Sequence, residues 1–134
     1  MATRANIDLS SALYKTYTVG TAATEGYCGK FSAEGVVTNC GANEAPDVVF
    51  QETKATGLPV QCVLITSDAC PMVVVGTGGA TAGDYLKTVS DGVTSVGTLG
   101  GGTVLKNVVG KALQTGVAGD QIAMQIVAFA SVSA

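Results

Sequence analysis

The sequence predicts an all-β fold, a compact β-barrel or β-sandwich with a less regular N-terminal arm. Three observations lead there. Only 13% of the 134 residues are charged and 5% are aromatic, with no Trp, so the Glu, Lys and Leu that helix-rich soluble domains carry are scarce. Glycine numbers 18 and interrupts short apolar runs every few residues, as turns between strands require. Near the C-terminus the apolar period is two: Ile122, Met124 and Ile126 alternate with Gln121, Ala123 and Gln125, which places a core on one face of a strand. A chain of this size can bury about two-thirds of its unfolded surface without metal or disulfides.

Taken in order, residues 1–13 mix Arg4, Asn6, Asp8, Ser10 and Ser11 with isolated Ile7, Leu9 and Leu13. This segment is expected to be an arm, reaching roughly 40 Å when extended at about 3.3 Å per residue. A frayed terminus or a short helix capped by Asp8 or Ser10 is the competing reading. A single β domain is expected over 14–134. Tyr14, Lys15 and Tyr17 suit either a protein interface or a strand at the core's edge. Tyr27–Phe31, Val36–Asn39 and Val48–Gln51 read as short strands, punctuated by Gly26, Gly29, Gly35 and Gly41 and by a turn at Asn43-Glu44-Ala45-Pro46. Pro59 opens Val60–Thr66, whose alternation passing into an all-apolar stretch predicts a central strand. Pro71–Val75 is a second such run, and a Ser67–Cys70 turn predicts that the two form a hairpin.

Ala82-Gly83-Asp84 leads into Tyr85–Val89, and Ser90-Asp91-Gly92-Val93 predicts a turn into another strand. Ala118-Gly119-Asp120 repeats the tripeptide before Gln121–Val127. We read this recurrence as one turn chemistry used twice, not as a domain duplication. Beyond Gln125, Val127 and Phe129 make the strand's second face apolar, so its end is expected to be covered on both sides, by another subunit or by the Tyr14–Phe31 region.

The residues present exclude much chemistry. With no histidine, Ser-His-Asp and Cys-His catalysis and the common imidazole metal sites are ruled out. The ten acids sit singly in turn-like contexts such as Asp68, Asp84, Asp91 and Asp120, which does not suit a paired-carboxylate hydrolase or an Asp-x-Asp-x-Asp calcium loop. Val73–Gly79 runs an apolar strand into Gly-x-Gly, but Thr81 stands where the third glycine belongs and a β-branched segment follows instead of a helix. Gly110-Lys111 lacks the remaining P-loop residues, with Leu105 and Ala112 in their places. No enzyme activity and no cofactor is expected. The net charge of −3 and the scattered lysines argue against nucleic acid, the apolar runs are too short for a spanning helix, and no signal peptide is expected. Cys28, Cys40, Cys62 and Cys70 contain no Cys-x-x-Cys pair. Buried free thiols, one or two disulfides, and an unusual four-thiolate site remain the alternatives.

The C-terminal half, with Val109-Gly110-Lys111-Ala112-Leu113, then Ala118-Gly119-Asp120 and a final apolar strand, resembles the small capsid decoration (cement, or head-stabilising) proteins of tailed bacteriophages. The resemblance implies a structural virion protein, made in the host cytoplasm, that binds the outer surface of an icosahedral capsid. There it would brace the expanded shell by bridging major capsid protein subunits, as a homotrimer. The expected contacts with the capsid or a neighbouring subunit are Arg4, Ile7, Leu9, Leu13, Tyr14, Lys15, Tyr17, Val127 and Phe129. The alternatives are another virion β-protein (tail tube, head completion or fibre-associated) and a bacterial surface adhesion module.

Overall fold

The structure is a computed structural model and describes residues 14–66, 69–97, 99, 102 and 104–133. Every regular element among them is a strand: β1 (Tyr14–Val19), β2 (Cys28–Ala33), β3 (Val36–Asn39), β4 (Val48–Phe50), β5 (Pro59–Leu64), β6 (Met72–Val74), β7 (Tyr85–Val89), β8 (Gly92–Ser95), β9 (Val104–Ala112) and β10 (Gln121–Ser133). The all-β expectation holds, and the strands divide into two barrel-like sheets.

The first five strands close a barrel in the order β1-β3-β2-β4-β5, in which β1 runs parallel to β3 and antiparallel to β5. The last five form a sheet in the order β6-β10-β9-β7-β8. Its two edges meet at one parallel bridge between Val75 and Val93. The wiring of the second half is thus that of the first, each strand matching the one five places earlier. The corners match as well. Ala23 bridges Lys54 as Ala80 bridges Gly116. Thr53 Oγ1 accepts from the Glu25 amide as Thr115 Oγ1 accepts from that of Ala82, and Glu52 and Gln114 each take an amide of the strand beyond, from Gln61 and Ala123.

This arrangement corrects the expected hairpin between Val60–Thr66 and Pro71–Val75. β5 already has β1 and β4 on its two edges, so no ladder position is left for β6, which pairs with β10 instead. The hairpin at Asp91-Gly92 does form, joining β7 to β8. The two Ala-Gly-Asp corners both place glycine at positive φ, but at different corners of the common wiring: Gly83 donates to Ala112 as Gly26 does to Phe50, whereas Gly119 donates to Val75 as Gly57 does to Val19. The duplication is one of topology, carried by other residues.

Burial follows the pleat. Along β7 the inward Leu86 and Thr88 are sealed and their neighbours are half-buried. One core cluster fills the first barrel around Phe50, with Val19, Val37, Val48, Val60 and Cys62. Phe50 is fully buried, a burial that stabilises by roughly 2–3 kcal/mol. The ring lies against Gly29, where a β-carbon would stand 2.4 Å from its Cζ. A second, larger cluster joins Cys28, Cys40, Val49 and Ile65 of the first half to Val73, Leu86, Val93, Val109, Ile122 and Met124 of the second. The halves therefore share a core.

Candidate interaction surface

The candidate contacts Arg4, Ile7, Leu9 and Leu13 lie outside the described residues. Tyr14, Lys15 and Tyr17 stand on β1, the strand that closes the first barrel, where Tyr14 and Lys15 are exposed and Tyr17 is half-buried. Alternation sends Val19 inward and leaves the residues before it on or near the surface. Tyr17 packs edge-on against Phe31 of β2, across β3 in the same barrel, ring centroids 5.0 Å apart. Together they line a shallow groove of about 520 Å³ with Ser32, Ala33, Glu34 and Gly35. Tyr14 instead borders a cleft of about 210 Å³ at the junction of the halves, with Phe50, Pro71, Met72 and Gln121 on its other sides.

Val127 and Phe129 lie on the other sheet, in the long β10. The ladder with β9 shifts register between Ile126 and Phe129, which ends the strict alternation of Ile122, Met124 and Ile126. Past this irregularity Ala128, Phe129 and Ala130 are exposed, and Phe129 rests edge-on against Tyr85 at 5.3 Å between centroids. Lys111 Nζ sits 5.8 Å from the centre of the Tyr85 ring. The candidate residues thus fall into two separate aromatic surfaces, one per sheet, each built on an edge-to-face pair. Phe31 and Tyr85, the partners in those pairs, were not singled out by the sequence. Each is two rows from its partner only once strands are in register.

The remaining polar groups hold the fold's corners. Asp91 accepts from the amide and hydroxyl of Thr77, contacts that lower its carboxyl. Asp120 Oδ2 accepts from the Val117 amide. Glu44 pairs with Lys30 and takes the Gly41 amide, which holds its carboxyl below its ordinary value. The Gly76–Gly79 segment leans on β8, where Gly79 O accepts from Thr94 Oγ1 at 2.7 Å and from the Ser95 amide. Cys28, Cys40 and Cys62 are buried thiols without a disulfide. Burial first, and neighbouring anionic groups second, push Cys40 and Cys62 up to about 12 and Cys28 further in the same direction. Cys70 is half-buried. Among the described residues no group of three or more acids or thiols is placed to hold a metal. What gathers on the surface is two edge-to-face aromatic pairs, one of them with Lys111 over its Tyr85 ring.

No protein-family model matches the chain, and no curated protein matches it. Among solved structures it is similar to the head fiber gp8.5 N base of bacteriophage phi29, with a TM-score of 0.67 and 18% identity over 87% of this chain and 94% of that one. Coverage of that extent takes in both sheets, so the likeness is one of the whole fold.

Proposed function

We propose that the chain is a structural protein of a tailed-phage virion that seats on the outer surface of the capsid and acts by binding, not catalysis. The observation that carries this reading is the fold it has in common with a phage head-fiber base. Composition supports it independently, because a chain with only 13% charged residues has little polar material to cover a free surface and gains by being docked. In the decoration reading, many copies bind the expanded shell through major capsid protein, and each adds binding free energy that rupture must overcome. An interface of roughly 800 Å² per partner, repeated by a homo-oligomer such as a trimer, supplies avidity beyond any one contact.

The likeness to a fiber base favours a second reading, in which the same seat anchors an appendage and bracing is incidental. Co-sedimentation with expanded, undecorated shells from the same genome, against unexpanded shells, tests the common element. Saturable binding to expanded shells is expected, and binding to neither refutes a capsid role. Heating then separates the two readings: a brace raises the temperature at which loaded shells open, whereas a base leaves it unchanged. Deleting Met1–Leu13 is expected to weaken attachment with the β core still folded, and unchanged binding removes the arm from the account.

A further inference from the structure

The outer face of β7, β9 and β10 is built unlike the rest of the surface. Register sets Lys87 against Val108 and Tyr85 against Lys111, and on the other side of β9 it sets Phe129 against Val108. Directly opposed residues share a face, as do residues two apart on a strand. Leu86 belongs to the core and Thr88 turns inward to the Gly41 and Glu44 carbonyls, so Tyr85 and Lys87 face out. Val108 is buried beneath this layer yet is not part of the core cluster. At the margin Lys106 stands close enough to Lys87 for the two ammonium groups to oppose each other, an effect that adds to the partial burial of Lys87 in lowering its pKa.

Three of the chain's seven basic residues therefore gather around one aromatic pair, in a chain whose net charge is −3. Among the described residues the one ion pair is Lys30–Glu44, so none of the three lysines has a carboxylate of a described residue within salt-bridge distance. Like charges held together without a counterion are unfavourable in the isolated chain. An incoming carboxylate relieves that repulsion, and Phe129, 37% exposed beside them, supplies apolar area that is available for burial.

We propose that this face docks an acidic protein surface, one presenting carboxylates beside apolar side chains, with Lys87 and Lys106 as its charge contacts and Phe129 as its apolar anchor. The inference rests on the capsid reading above for where that surface is found. The test is co-sedimentation with expanded shells across a sodium chloride series, using the wild type, a Lys87→Glu/Lys106→Glu variant and a Lys87→Arg/Lys106→Arg variant. Wild-type binding is expected to weaken as salt rises. The glutamate variant should bind roughly tenfold more weakly or worse, while the arginine variant keeps most of its affinity. Unfolding midpoints in urea check that all three are folded. If the glutamate variant binds like the wild type, the docking face is wrong while the capsid reading stands.

If the wild type binds no shell, the capsid reading fails, and reductive methylation of lysines on intact virions decides the face. Protection of Lys87 and Lys106 relative to the isolated protein supports docking. Equal labelling, or absence of the chain from virions, overturns it. Retardation of a short DNA duplex by the wild type that is lost in the glutamate variant also overturns the proposal, in favour of a nucleic-acid occupant.

Discussion

Replacing Gly92 by alanine attacks the point where the second sheet closes on itself. Gly92 has φ of 136°, and a β-carbon there would stand 2.2 Å from the Val74 carbonyl oxygen and 3.1 Å from the Gly76 nitrogen. Both obstacles are backbone, and they flank Val75, whose bridge to Val93 joins the sheet's edges. The backbone conformation costs an alanine about 1–3 kcal/mol, and displacing a strand to relieve the overlap costs about 1–3 kcal/mol more. The sum, about 2–6 kcal/mol, is a large share of the 5–15 kcal/mol that holds an ordinary domain together. The matched control is Gly83→Ala, at φ of 91° with nothing within 4 Å of the added carbon, which should cost only about 1–2 kcal/mol. Urea titrations followed by circular dichroism measure both. Should the two variants agree within about 0.5 kcal/mol, the scatter of such comparisons, the closure at Val75 contributes nothing and the barrel-like description of the second half is wrong.

Other expectations follow from single contacts. Thr88→Val removes the fully buried hydroxyl that reaches the Glu44 carbonyl at 2.9 Å and that of Gly41 at 3.2 Å; Gly41 keeps the Glu44 amide as a donor, and the Glu44 carbonyl loses the hydroxyl's proton. The loss should be about 1–3 kcal/mol, read from the urea midpoint. Cys28, Cys40 and Cys62 should resist iodoacetamide in the native state and react after unfolding, as mass spectrometry would show. Their raised thiol pKa values give a stability contribution that is complete below the unfolded value, near 9, and is lost as pH rises toward 12. A urea midpoint that stays flat across that window contradicts the assignment. Glu44 should titrate below its ordinary value of 4.5 in an NMR pH series, because Lys30 and the Gly41 amide favour its charged form. The stability it adds is present above its unfolded pKa and lost as pH falls through the folded one, and Lys30→Met should bring the titration back up.

Much of this was legible in the residues. β10 could be read because Ile122, Met124 and Ile126 keep a strict period of two for as long as one face is buried, and the reading stops where the register irregularity at Ile126–Phe129 begins. Val36–Asn39 was bounded correctly by its flanking turns. The β5–β6 hairpin was misread because neighbours in sequence usually pair, and nothing in Val60–Leu64 reveals that both its edges are taken. The doubled wiring was hidden for a different reason. The identities that survive between the halves are short and scattered, Val19-Gly20-Thr21 with Val75-Gly76-Thr77, Ala23-Thr24 and Gly26 with Ala80-Thr81 and Gly83, and Thr53 and Gly57 with Thr115 and Gly119, while the conspicuous Ala-Gly-Asp repeat marks corners that do not correspond. Nor could the lysine cluster be seen, since Lys87, Lys106 and Lys111 meet only through the register of three strands.

The shared core has a consequence for how the chain is made. Every strand pairing of the first barrel is complete once Leu64 is available, so a ribosome adding roughly 5–20 residues per second exposes a closable first half seconds before β10 exists. That half is not finished. Cys28, Cys40, Val49 and Ile65 belong to the cluster that the second half completes, and until Ile122 and Met124 arrive this side lies open to water. Nascent chains stalled before β10 should therefore be the species that chaperones hold and that aggregates, and the last strand to be translated is the one that ends the hazard.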